Sequence, residues 1–215
     1  MKAATYIPTL RFHWLTKMYD VVIGCFMPER RFKRAVINHA RLCGYEDVLD
    51  FGVGTATLSL MLKKALPGLQ VTGIDIDENV LNIAKSKIEE TGIHLIHYRG
   101  GTLPFEDKNF DCVVSSLAVH HLTDSQKQAA FREMSRVLRP GGGLVIADWA
   151  QPANRLQRLL FYPVQWLDGF ETTAANLQGL IPSMIAVAGF KEIKRHERFL
   201  TVFGTLEILS ARKTS

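Results

Sequence analysis

Five short apolar runs, separated by stretches of helical length and period, constrain this chain more than any other feature. They are EDVLDF (46–51), QVTGID (70–75), IHLIHY (93–98), DCVVSSL (111–117) and LVIAD (144–148). Between them lie TATLSLMLKKALPG, a segment from Asp77 to about Thr91, and TDSQKQAAFREMSRVLRPGGG. Asp77 is placed to cap the second of these helices, with Gly92 just past its end, and Pro140 with its glycines to stop the third. Strands alternating with helices of this length build parallel βαβ units with both sheet faces covered. After Trp149 the alternation breaks. Residues 152–170 and 172–188 read as helices, interrupted near Pro163 and Pro182, and KEIKRHERF and TLEILSARK read as two strands joined near Gly204. A short connection makes that last pair antiparallel.

A chain of 215 residues holds one domain with a full core. Its 47% hydrophobic and 22% charged residues are a globular mix, and no apolar run approaches the ~20 residues of a membrane span. The opening MKAATYIPTLRFHW lacks a long apolar core, which argues against a secretory signal. Cys25, Cys43 and Cys112 form no CxxC pair, so reduced thiols and a cytoplasmic location are the expectation, without a metal site or disulfide framework. The net charge of +5 is concentrated in residues 1–45, where eight Lys and Arg face only Asp20 and Glu29. In that segment, Phe32, Val36 and His39/Ala40 fall at helical spacing. Its basic side is either a solvated face or a contact for an anionic membrane surface, an acidic substrate or nucleic acid. No interleaving of arginine with aromatics points to nucleic acid.

The turn after the first strand, Gly52-Val53-Gly54-Thr55-Ala56-Thr57, brings backbone N–H groups close to a ligand. It lacks the third glycine of a dinucleotide loop, and Asp50 just before it is ill suited to a pyrophosphate, since like charges would meet. Asp75 ends the second strand 21 residues after Gly54, the spacing at which an acid grips a ribose diol. A nucleoside without phosphates that carries a positive charge describes S-adenosyl-L-methionine.

In order and spacing, VLDFGVGTATLSL, VTGIDIDENVL, LPFEDKNFDCVVSSLAVHHL and VLRPGGGLVIAD resemble the motifs of class I S-adenosylmethionine-dependent methyltransferases. MYDVV and GTLEILSARK are most similar to the ubiquinone/menaquinone C-methyltransferases and their small-molecule relatives. The resemblance implies an α/β, Rossmann-like seven-stranded sheet of order 3-2-1-4-5-7-6, with strand 7 antiparallel. It divides the single domain into an N-terminal lid or helical segment (1–45), a cofactor-binding core (46–149), a helical insertion over the substrate pocket (150–189) and a terminal antiparallel strand pair (190–212).

The same resemblance sets Gly52, Gly54 and Thr55 against the methionine part of the cofactor, with Asp50 ordering that end. It gives Asp75 the ribose hydroxyls and Ile76 the adenine face, and it brings Ser116 and Leu117 near the sulfonium and Tyr19 over the cofactor from the lid. For Tyr19 the alternative is a buried aromatic. YRGGTLPF lacks the acid that often holds the adenine amine, which leaves backbone at Gly101 and Thr102 either meeting the adenine edge or forming a plain loop. His120, His121 and Asp148 are the candidates for proton removal at the acceptor, against a role in capping and solvating loops. Adjacent histidines cannot both face a pocket from a regular helix or strand, so no metal is expected there. Phe161, Tyr162, Trp166, Leu167 and Phe170 would roof the pocket, which points to a small, partly apolar acceptor, a prenylated ring or a lipid head group, and leaves the oligomeric state open.

Two other readings compete. A nicotinamide dehydrogenase is disfavoured by Asp50 and the altered loop, and a non-catalytic cofactor-binding protein is kept open by the missing adenine acid. The sequence predicts that Gly52→Val or Asp75→Ala abolishes cofactor binding without unfolding the chain.

Overall fold

The computed structural model describes residues 27–41 and 46–214. Tyr19 and the rest of residues 1–26 lie outside the described residues. The sheet has seven strands: β1 (Asp47–Phe51), β2 (Gln70–Asp75), β3 (Ile93–His97), β4 (Phe110–Ser116), β5 (Leu138–Trp149), β6 (Phe190–Thr201) and β7 (Gly204–Lys213). Their order is β3-β2-β1-β4-β5-β7-β6. Strands β1 to β5 are parallel, and β7 runs antiparallel to both β5 and β6, as expected.

Helix α1 (Glu29–Arg41) precedes the sheet, and α2 (Thr57–Ala65), α3 (Glu78–Lys85) and α4 (Asp124–Val137) connect its parallel strands. Asp77 caps α3 by accepting from the N–H groups of Asn79 and Val80. That helix ends at Lys85, short of the predicted Thr91, where the Ser86 hydroxyl donates to the Ile83 carbonyl and closes the last turn. Thr123 and Gln126 form a reciprocal cap at the start of α4. Strand β5 starts at Leu138, six residues before the predicted run. Leu138 already pairs with Phe110, and the glycine-rich stretch forms a bulge before Gly143 resumes the ladder opposite Cys112.

Two apolar cores lie on the two faces of the sheet. Phe32, Val36 and Ala40 of α1 join Val48, Val71, Val114, Val145 and Ile208 in one of them. Phe131, Met134 and Val137 of α4 join Leu49, Val113 and Ile146 in the other. Helix α1 is therefore a layer on a sheet face, because its apolar stripe finds the strands. The helical reading of residues 29–41 fits this layer, and its other side leaves Arg30, Arg31 and Arg34 exposed. No helix among the described residues is long and apolar enough to cross a membrane.

The insertion after β5 is four short helices, α5 (Arg155–Leu160), α6 (Tyr162–Asp168), α7 (Phe170–Leu177) and α8 (Ile181–Val187), rather than two. Pro163 starts α6 and Gly169, at φ 104°, ends it. Of the five predicted roof residues, Phe161 is turned inward against Trp149, with ring centroids 5.2 Å apart. Tyr162, Trp166 and Phe170 are exposed, because helices of one or two turns have too few positions to bury all of them.

Candidate active site

The parallel strands end on one edge of the sheet, where open α/β sheets bind ligands. The glycine turn leaves β1 there. Gly52 and Val53 both donate their N–H groups to the Ile74 carbonyl, which draws the turn against β2. Gly52 adopts φ 71°, and a Cβ on it would lie 2.2 Å from the Cβ of Ala118. Gly54, at φ 54°, has nothing among the described residues within 4 Å of the same position. The turn is thus closed toward β4 and open at Gly54, a cradle shaped for a ligand. Thr55 follows it half-buried, and Ala56 takes a left-handed φ of 61° before α2 begins.

Asp75 faces this cradle from the tip of β2. Its Oδ2 accepts the Gly54 N–H at 2.9 Å and its Oδ1 accepts the Asp77 N–H at 3.0 Å. Burial raises its pKa despite those bonds, and each oxygen keeps a lone pair for a hydroxyl donor. Asp50 is buried beneath the turn and accepts the Ser59 hydroxyl at 2.6 Å. Burial pushes it up to about 6, against the opposing pull of Ser59 and Lys33. Ile76 is half-buried beside Asp75. Gly101 and Thr102 are exposed on a loop tied by the Tyr98 hydroxyl to the Gly101 carbonyl and by Arg136 to the carbonyls of Leu103 and Phe105. Ser116 and Leu117 end β4, with the Ser116 Oγ buried and without a hydrogen-bond partner and Leu117 at φ 54°. An orphaned hydroxyl and a strained residue at one strand tip are features that ligand sites retain.

The open cradle, the carboxylate at the ribose spacing and the orphaned Ser116 hydroxyl fit an S-adenosylmethionine-type cofactor. Gly52→Val is expected to cost about 3 kcal/mol of stability in addition to cofactor binding, because it overpacks against Ala118 at a positive φ. Urea denaturation checks this, and it corrects the expectation that the substitution leaves folding intact. Asp75→Ala is the cleaner probe.

Beyond the cradle, His120 and His121 occupy a 3-10 turn (Val119–His121). Asp148, at the end of β5, anchors it. Its Oδ2 accepts the N–H groups of Val119 (2.8 Å) and His120 (3.2 Å), and its Oδ1 accepts His120 Nδ1 (2.8 Å) and the Trp149 N–H (2.6 Å). With both oxygens engaged and only 4% of the residue exposed, Asp148 stands behind the histidines as a positioning group.

On this 3-10 turn, unlike a regular helix or strand, the adjacent histidines converge. The tight turn sets the two rings 4.0 Å apart and turns both toward Asp168, a residue that sequence reasoning missed. His120 Nε2 lies 3.5 Å from Asp168 Oδ2, and His121 Nδ1 lies 3.9 Å from Asp168 Oδ1. Burial alone would lower His120, but Asp148 and Asp168 outweigh it and push the ring up to about 9. Burial, and then the charge on His120, push His121 down to about 4, leaving a neutral imidazole that is partly exposed. Lys127, fully buried, donates to the carbonyls of Leu122 and Thr172 and so ties α4 to α7 behind this cluster. Burial brings its ammonium down to about 8. The acid in WLDGF, isolated among apolar residues, was the one available sign of Asp168.

Residues 48–142 match the model of a methyltransferase domain family. A demethylmenaquinone methyltransferase from Listeria welshimeri is 39% identical over 147 residues, 66% of this chain and 61% of that protein. A ubiquinone/menaquinone biosynthesis C-methyltransferase from Shewanella halifaxensis is 27% identical over 207 residues, 85% of this chain and 82% of that protein. The chain thus spans about three fifths of the length of the Listeria relative. Among solved structures, human N-acetylserotonin methyltransferase in complex with S-adenosylmethionine superposes with a TM-score of 0.65 at 18% identity, covering 85% of this chain and 52% of that one. A methyltransferase-like protein from Bacillus halodurans superposes with a TM-score of 0.65 at 20% identity, covering 85% and 99%. Strand order, glycine cradle, ribose-spaced acid and these likenesses together are those of a class I S-adenosylmethionine-dependent methyltransferase domain.

Proposed function

We propose that the protein transfers the methyl group of S-adenosylmethionine to a small, partly apolar acceptor, with a quinol-type ring as the first choice. The observation that carries this reading is the clamp of Asp75 on the Gly54 N–H beside an open cradle. Relatives that methylate quinone precursors support the acceptor class. The cofactor supplies the electrophilic methyl on its sulfonium. The residues around Gly54 and Ser116 align it, and the insertion excludes water from the carboxyl edge. A ring carbon or hydroxyl must lose a proton, and the His120–His121–Asp148 cluster is the group that takes it. His121 is the member open to the acceptor, and Asp148 holds the turn in place. A cytoplasmic location belongs to the same reading, with the basic residues of α1 and the preceding segment meeting an anionic membrane surface.

Asp75→Ala is expected to weaken S-adenosylhomocysteine binding by at least ~30-fold in calorimetry while leaving the melting temperature within a few degrees. Unchanged affinity removes the site assignment. A screen with radiolabelled S-adenosylmethionine over quinols, phospholipid amines and thiols then identifies the acceptor. Binding of the cofactor without transfer to any of these favours a non-catalytic cofactor-binding protein, the reading that the missing acid at Gly100 and Gly101 supports.

A further inference from the structure

We infer that His120, His121 and Asp168 form a binding site for one divalent transition-metal cation of the zinc or iron(II) class beside the acceptor pocket. These three are the one group of its kind among the described residues, with one ligand atom from each lying within 4.8 Å of the others. A metal about 2.0–2.2 Å from each of three ligand atoms sets those atoms ~3–4 Å apart; here the two imidazoles approach different oxygens of Asp168, His120 Nε2 at 3.5 Å from Oδ2 and His121 Nδ1 at 3.9 Å from Oδ1, so small side-chain rotations bring one atom of each residue to that spacing. The donor set is two imidazole nitrogens and a carboxylate, which suits zinc or iron(II) and not magnesium or calcium.

Three further observations support a built site. Asp168 Oδ2 is buried, has no hydrogen-bond partner and faces His120 Nε2. Asp148 accepts His120 Nδ1 at 2.8 Å, the outer carboxylate that fixes the tautomer of a ligating histidine and aims its other nitrogen at the metal. His121 is partly exposed, which gives the site an entry path from solvent. Lys127 adds one buried positive charge nearby, which the carboxylates of Asp148 and Asp124 offset. A cation here would bind an acceptor hydroxyl and ease its deprotonation in place of an imidazole. That consequence rests on the proposed methyl transfer, whereas the site itself does not.

The test is titration of the whole protein with Co2+, followed by calorimetry and by the visible d–d bands that intensify when the hexaaqua ion enters a site of low coordination number. Saturable one-to-one binding with intensified bands is expected. His121→Ala and Asp168→Asn should each weaken it at least ~30-fold, and Asp148→Asn by ~10–100-fold. Because His39 and His196 stack with ring centroids 3.6 Å apart and form a second imidazole pair, His39→Ala is the control and should change nothing. Melting curves establish that each variant is folded. Since His121 is partly exposed, its variant folds even if Asp168→Asn does not. Spectra that stay those of the hexaaqua ion, equal affinity in His121→Ala, or loss in His39→Ala alone would overturn the site. Methyl transfer that proceeds without cobalt binding removes the cation and leaves the proposed function standing.

Discussion

Asp148→Ala is expected to lower the stability of the fold by roughly 3–5 kcal/mol, the cost of removing one partner from a buried, hydrogen-bonded ionic cluster. The carboxylate takes four donors: the Val119, His120 and Trp149 amides and His120 Nδ1. Burial would raise its pKa, but His120 and the Trp149 amide hold it below the ordinary range, so it is an anion wherever the protein is folded near neutrality. Alanine supplies none of these acceptors, and the site lies too deep for water to replace them all. The His120 ring then keeps only Asp168, at 3.5 Å, and the 3-10 turn loses its tether to β5. For a chain of this size such a loss corresponds to a melting-temperature fall of about 6–20 °C. Asp148→Asn keeps the volume and one acceptor and should cost less. A loss below about 1 kcal/mol for the alanine variant, by urea denaturation, would show that Asp148 does not anchor the turn.

The parts of this site that could be read from sequence are those that local chemistry sets. Gly52 and Gly54 are demanded by backbone torsions of 71° and 54°. Asp75 lies where a second strand must end, and the 3-2-1-4-5-7-6 order follows from βαβ alternation, a terminal hairpin and family resemblance. The parts that could not be read are set by contacts distant in sequence. Asp168 reaches His120 across 48 positions, and Lys127 bonds the Thr172 carbonyl across 45. Within its own helix Lys127 reads as a solvated residue; only the docking of α7 buries it. The convergence of the histidine pair is hidden for a different reason: a three-residue 3-10 turn obeys neither the helix nor the strand period. The exposure of Tyr162, Trp166 and Phe170 in the insertion is likewise hidden, because apolar content alone does not say which side of a short helix faces inward.

Asp50→Asn should separate function from stability at the other end of the site. In the folded protein Asp50 has a pKa of about 6, raised from 3.8 chiefly by burial. The folded state therefore holds this proton more tightly than the unfolded chain. Its contribution to stability is fully present below about pH 4 and is lost as pH rises through 6. A shift of this size corresponds to a penalty of about 3 kcal/mol above pH 7. Asparagine keeps the shape and can still accept the Ser59 hydroxyl, yet carries no charge to desolvate. The variant should thus be more stable than the parent by up to about 3 kcal/mol at pH 8, and the advantage should shrink to nothing between pH 6 and 4. The same substitution removes the anion beneath a cradle proposed for a cationic ligand, so S-adenosylmethionine affinity should fall by at least ~10-fold at pH 8. In the parent, affinity should also decline as pH drops below 6, because protonation neutralises Asp50, and the asparagine variant should lack that decline. Denaturation and calorimetry across this pH range measure both effects. A variant that gains stability without losing affinity would leave Asp50 as a buried acid unconnected to the cofactor, whereas loss of both would mean that its bond to Ser59 matters more than its charge.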